Sequence, residues 1–197
     1  MCIIIVKKLG QDWPARENVD TACRNNPDGF SMAWNAEGKL KTFRTMSKDA
    51  FMAAYDKVTA SLNAKDTGLV IHARIATHGS KKVENCHCWT GAGISFAHNG
   101  VLRDIVPQDD MTDSETFFRR IVLPLYNKMG WAMASYVMNL AAGYTNKFAI
   151  IDRVGNTFLF GNYQNDNGIF YSNASYRWGR CVTPMYGYGY GYGYETD

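Results

Sequence analysis

The sequence predicts an α+β layered fold in which helices pack on antiparallel sheets. Three observations predict it. A β-branched run opens the chain, helical periodicity fills the middle, and short apolar runs parted by turn-rich segments return towards the end. The size suits one core: a chain of 197 residues with 46% hydrophobic and 20% charged residues buries roughly 70% of its unfolded surface.

Each element follows from its residues. Cys2 to Lys8, "CIIIVKK", is β-branched, ends in charge and reads as a buried strand. A loop with Gly10 and Pro14 precedes a helix over 15–24. The segments 29–34 and 39–44 flank "NAEG", a hairpin connector. Ser47 caps the next helix, where Phe51, Tyr55, Val58 and Leu62 recur at helical spacing. "GLVIHARIAT" carries a strand that ends in polar residues, and "ISFAHNGVL" a second one broken by Asn-Gly. Residues 113–128 are helical, with Pro124 expected to kink or end the helix, and 131–142 form another apolar helix. "FAII", "TFLF" and "GIFYS" then read as one antiparallel meander. The repeat in "YGYGYGYGYETD" has no aliphatic residue to bury, so 1–183 is the expected domain and 184–197 a solvated tail.

Charge and composition narrow the function. The formal charge of +3 is spread over scattered basic pairs, which leaves no nucleic-acid footprint. No signal-peptide pattern and no apolar stretch near 18 residues is present, so a cytoplasmic protein without a membrane anchor is expected. Five cysteines without a framework spacing fit a reducing compartment. In "CHC" at 86–88, read as a strand, Cys86 and Cys88 face one side and His87 the other; with no second Cys/His cluster, no metal site is expected.

Four short stretches carry chemistry. Cys2 follows the initiator methionine, and loss of Met1 would put a thiol and a free α-amino group on one residue. Arg74, where a strand meets a loop, can hold a carboxylate through two parallel hydrogen bonds, or serve as a structural ion-pair partner. Asn99-Gly100 sets an amide side chain beside a backbone N–H, which suits an oxyanion hole and equally a tight turn. Thr112 and Glu115 match a capping box that leaves Asp113 in the first helical turn, where an anion is favoured and a substrate ammonium can be met. Together these groups suit an amino acid with a reactive side-chain acyl carbon.

The stretches "MC", "RIATHG", "NCHC", "AHNG" and "TDSE", in that order and with a closing "FYSNASY", resemble the glutaminase domain of class II glutamine amidotransferases, which are N-terminal-nucleophile (Ntn) hydrolases. The resemblance implies a four-layer αββα sandwich and hydrolysis of glutamine to glutamate and ammonia through a thioester, without a cofactor. It implies Cys2 as nucleophile, Asn99 and Gly100 as oxyanion hole, Arg74 for the carboxylate and Asp113 for the ammonium. Thr77, His78 and Gly79 match the family's substrate loop, and Gly29 a glycine near the nucleophile's amino group. Ile75 stands where the family often has tryptophan, Cys88 where proline often follows the histidine, and "NNPDGF" where an Arg-Gly signature begins. These departures bear on pocket shape and substrate. The implied substrate is glutamine or a γ-glutamyl amide. With no room for a synthase domain, the expectation is a subunit that passes ammonia to an acceptor synthase in trans. The alternatives are a self-sufficient amidohydrolase and a silent Ntn-fold binding module.

Overall fold

In the first strand, β1 (Ile3–Lys7), every side chain is buried, which requires protein on both faces. A computed structural model, describing residues 2–76 and 80–177, supplies both. β1 lies inside a six-stranded antiparallel sheet with β2 (Phe30–Ala36), β3 (Lys39–Thr45), β4 (Leu69–Ala73), β9 (Gln164–Asp166) and β10 (Ile169–Tyr171), in the order β3-β2-β4-β1-β10-β9. A four-stranded antiparallel sheet of β5 (Trp89–Gly91), β6 (Ile94–Asn99), β7 (Lys147–Asp152) and β8 (Thr157–Phe160) covers its inner face.

Strand alternation builds the layers. Ile3 and Ile5 point outward into a core shared with Val19 of helix α1 (Arg16–Asn25) and with Phe51 and Tyr55 of α2 (Lys48–Ser61). Ile4 and Val6 point inward and meet Ala97, Ala149 and Ile151 between the sheets. On the far side, Phe96, Phe148 and Ile150 pack on Phe117 of α3 (Asp113–Phe117) and Met138 of α4 (Leu123–Ala142). Helix, sheet, sheet, helix is the four-layer αββα arrangement, so the expected fold class holds.

Local signals translate directly. Ser47 caps α2 by accepting from Ala50 N–H at 3.2 Å. Glu37 and Gly38, both at positive φ, form the two-residue turn between β2 and β3. Thr112 Oγ1 accepts from Glu115 N–H at 3.2 Å, but Glu115 pairs with Arg119 at 2.7 Å, so only half of the capping box forms.

Three expectations are corrected. The last strands are not one meander: β7 and β8 belong to the four-stranded sheet, whereas β10 crosses to pair with β1, setting Tyr171 opposite Ile5. Pro124 does not end its helix, because a π-helical turn at Phe118–Val122 precedes it; the break falls at Gly130, with φ 78°. "CHC" is not strand, since a 3-10 turn spans Val83–Asn85, Cys88 has φ 60°, and β5 starts only at Trp89. The tail at 184–197 lies outside the described residues, as do Thr77, His78, Gly79 and Cys181. Among the described residues no helix is long and apolar enough to cross a membrane.

Candidate active site

At the outer end of β1, Cys2 is half-buried, and its Sγ contacts the Ile75 backbone, 3.4 Å from the N–H and 3.5 Å from the carbonyl. The register that pairs Ile3 with Ala73 carries the chain past β4 and brings Ile75 there. Burial pushes the Cys2 thiol above its ordinary range, while the Ile75 N–H and Arg74 pull it partly back. The resting sulfur is therefore a thiol at neutral pH.

Asn99 closes β6 and Gly100 follows it, both lining the cleft of about 610 Å³ into which Cys2 opens. The first and second sheets are tied at this point by Ser172. Its Oγ accepts from Ile4 N–H at 2.8 Å and from Asn99 Nδ2 at 2.9 Å, and its N–H donates to Ile4 O at 2.9 Å. Asn173 Nδ2 donates to the Cys2 carbonyl at 2.7 Å. Asn99 Oδ1 is buried without a partner.

Gly100 is required where it stands. Its φ is 152°, and a Cβ would fall 2.1 Å from Asn146 Oδ1 and 2.9 Å from His98 Nε2. Asn146 Nδ2 donates to Ala141 O at 3.1 Å, which turns Oδ1 to accept from His98 Nε2–H at 3.0 Å. His98 Nδ1 is then the acceptor for the Ser114 hydroxyl at 2.7 Å. Burial lowers the His98 pKa to about 4, with the Asn146 bond and Asp113 opposing, so the ring is neutral.

His98, whose ring faces the helix layer with Phe148 and Ser114, is linked through its backbone to two further buried histidines. His72 and His87 stack at 3.8 Å, and His87 Nδ1 accepts from His98 N–H at 3.0 Å. Burial drives His72 down to about 3 and His87 well below its ordinary value. Neither ring nitrogen of His72 has a hydrogen-bond partner.

The remaining sequence-derived residues lie around this centre. Asp113 Oδ2 accepts from Leu102 N–H at 2.9 Å and faces a neighbouring cleft of about 400 Å³ with Ser80, Lys82 and Asn85. The two clefts share Val101, Leu102 and Ile105. Arg74 is 4% exposed, lines neither cleft, and donates from Nη1 to Ser80 O at 3.0 Å. Asp28 steadies the strand exit: its carboxylate accepts from Ala76 N–H at 3.0 Å and pairs with Lys81 at 2.6 Å. Gly29, at φ 135°, faces Cys86, whose Sγ would lie 2.6 Å from an added Cβ. Among the described residues no cluster of three His, Cys, Asp or Glu side chains can hold a metal.

Sequence reasoning did not single out Ser172, Asn173, His98, Ser114 or Asn146. Four of them sit inside the quoted motifs "FYSNASY", "AHNG" and "TDSE"; of these, His98 lies in a strand, where a polar residue among apolar ones was the available signal. Asn146 has no such marker.

Comparison with known proteins adds the family. A model of class II glutamine amidotransferases matches residues 7–163, a span that begins after Cys2. Among solved structures, glutamine phosphoribosylpyrophosphate amidotransferase from B. subtilis, complexed with ADP and GMP, is similar at 13% identity and a TM-score of 0.53 over 87% of this chain and 41% of that one. A structure of the allosteric regulatory enzyme of purine biosynthesis is similar at 15% identity and a TM-score of 0.50, over 78% of this chain and 36% of that one. A glutamine aminotransferase class-II domain protein from Silicibacter pomeroyi shares 16% identity over 78% of this chain and 73% of that one, with a TM-score of 0.42. The chain thus spans about two fifths of the first of these structures. A comparison with curated proteins finds no match.

Proposed function

Given that this chain belongs to the class II glutamine amidotransferases, we propose that it releases ammonia from glutamine through a thioester on Cys2. The observation that carries this reading is the shared cleft of Cys2, Asn99 and Gly100, with Ser172 tying the β1 backbone to the Asn99 amide. Removal of Met1 frees the Cys2 α-amino group, whose ordinary pKa of roughly 7.7 to 8.0 suits it to take the thiol proton near neutrality. The base and the nucleophile then sit on one residue.

The thiolate attacks the glutamine δ-carbonyl, forming a C–S bond and moving the carbonyl electron pair onto oxygen. The Gly100 N–H and the Asn99 amide stabilise that oxyanion. In the resting site Asn99 Nδ2 is given to Ser172 while Oδ1 has no partner. A half-turn of the amide lets the Ser172 hydroxyl donate to Oδ1 and releases Nδ2 for the oxyanion. The Cys2 ammonium returns its proton to the departing nitrogen, the C–N bond breaks, and water hydrolyses the thioester to glutamate and free thiol.

Arg74 takes the substrate carboxylate and Asp113 the α-ammonium in this reading, with Thr77, His78 and Gly79 forming the adjoining loop. Both groups now hold backbone atoms, Ser80 O and Leu102 N–H, that the substrate displaces. The free thiols of Cys2, Cys23, Cys86 and Cys88 suit a reducing cytoplasm, and a separate synthase there is the proposed acceptor of the ammonia.

Glutamate release from glutamine, paired with intact-mass measurement, tests the proposal. Active protein should lack Met1, and Cys2→Ala should abolish release while leaving the fold intact. Activity in protein that retains Met1, or in Cys2→Ala, would exclude the α-amino and thioester steps.

A further inference from the structure

One imidazole joins the two clefts. Asn146 lines the cleft at Cys2 together with Asn99 and Gly100, and Asp113 lines the neighbouring one. His98, 1% exposed, lines neither and bridges them. Its Nε2 is 3.0 Å from Asn146 Oδ1, and its Nδ1 is 2.7 Å from Ser114 Oγ, which in turn is 3.2 Å from Asp113 Oδ1. The ring is fixed against Phe148, with centroids 4.7 Å apart.

Proton counting gives this chain of contacts a direction. Ser114 has one hydroxyl proton and two acceptors, His98 Nδ1 and Asp113 Oδ1, and the tautomer of His98 decides between them. With the ring proton on Nε2, His98 donates to Asn146, Ser114 donates to Nδ1, and Asp113 Oδ1 stays open. With the proton on Nδ1, Ser114 accepts from His98 and gives its own proton to Asp113, while Nε2 turns a lone pair on Asn146 Oδ1. The Asn146 amide cannot turn over to suit that state without losing the bond from Nδ2 to Ala141 O at 3.1 Å and setting one oxygen against another. The Ala141 carbonyl therefore selects the first tautomer in the empty site. An ammonium on Asp113 Oδ1 selects it again, because it competes with the Ser114 proton for that oxygen. In this tautomer the Nε2–H bond holds Asn146 Oδ1 directly against Gly100, where an added Cβ would be 2.1 Å away.

We infer that His98 and Ser114 are positioning residues that couple the α-ammonium site at Asp113 to the oxyanion turn at Asn99-Gly100, so that recognition of the substrate's α-amino group raises kcat as well as lowering KM. The inference rests on the function proposed above and adds how the site tells an amino acid from a plain amide.

The test compares glutamine with glutaramic acid, the same amide without the α-amino group, on the full chain. The kcat for glutamine should exceed that for glutaramic acid by about fivefold or more, as ordinary couplings between sites do. Ser114→Ala should bring the two kcat values together and keep most of the KM difference, which Asp113 still supplies. Nitrogen NMR of the histidine rings in Cys2→Ala protein should show His98 with its proton on Nε2, both without glutamine and with it bound. A proton on Nδ1 with glutamine bound overturns the inference, whether or not Ser114→Ala folds. Equal kcat values for the two amides, or a gap that survives Ser114→Ala, overturn it and leave the proposed function standing. Failure to hydrolyse glutamine overturns both.

Discussion

Ser172 Oγ lies 2.9 Å from Asn99 Nδ2 and, through its bond from Ile4 N–H at 2.8 Å, sets the distance between β1, which follows Cys2, and the candidate oxyanion asparagine. Ser172 follows β10 of one sheet and Asn99 closes β6 of the other, so this one hydroxyl couples the layers at the site. Ser172→Ala leaves the Ile4 N–H and Asn99 short of a partner, at a cost of about 1 to 3 kcal/mol in stability. Glutaminase kcat should fall by about tenfold to a hundredfold, as for other small misplacements of reacting groups. Urea unfolding and steady-state kinetics measure the two effects, and an unchanged kcat would remove Ser172 from the positioning role.

Gly100 and Asn146 form the second contact of this kind. Gly100→Ala places a Cβ within 2.1 Å of Asn146 Oδ1 and should abolish turnover. Asn146→Ala relieves that clash but strands His98 Nε2–H, so the double variant is expected to recover the fold more than the activity. Retention of the iodoacetamide reactivity of Cys2, which needs no oxyanion hole, would separate a misplaced turn from a collapsed site.

Asp113 separates charge from shape. Asp113→Asn keeps an oxygen for the Leu102 N–H now held at 2.9 Å but removes the anion proposed to meet the α-ammonium. A charged hydrogen bond contributes about 1.5 to 3 kcal/mol, so KM for glutamine should rise by roughly tenfold to a hundredfold. The analogue lacking the α-amino group should lose far less, and equal losses for both would argue against ammonium binding here.

The buried histidines make the fold acid-sensitive. Burial lowers His72 to about 3 and His98 to about 4, while the unfolded chain titrates near 6.5. Above that pH both states are neutral and the stability is complete. As pH falls from about 6.5 towards 4, the unfolded chain takes up protons that the folded one refuses, with a loss of up to about 1.4 kcal/mol per pH unit for each histidine. Urea midpoints between pH 7.5 and 4.5 should fall accordingly and fall less in His72→Phe; a flat profile would mean the rings are protonated in place.

Much of the site was legible because its signals are local. Cys2, Asn99-Gly100 and Asp113 sit at a chain start, a strand end and a helix start, positions that capping and periodicity reveal. Ser172 was hidden because a serine just past a short apolar strand has the same local pattern wherever that strand pairs. The Cys86–Cys88 stretch was misread because its alternation mimics a strand, whereas Cys88 takes a positive φ that only its surroundings dictate.

By itself, the sequence determined most of the longer elements, the family motifs and the residue types available for chemistry, since these depend on neighbours along the chain. Tertiary structure alone decided that β10 leaves β7 and β8 to pair with β1, that His72 and His87 stack, and that Cys2 and Asn99 open onto one cleft while Asp113 faces a neighbouring one. The physical reason is that strand pairing and cavity lining are settled by burial between segments far apart in sequence, and no local periodicity records which distant surface a side chain meets.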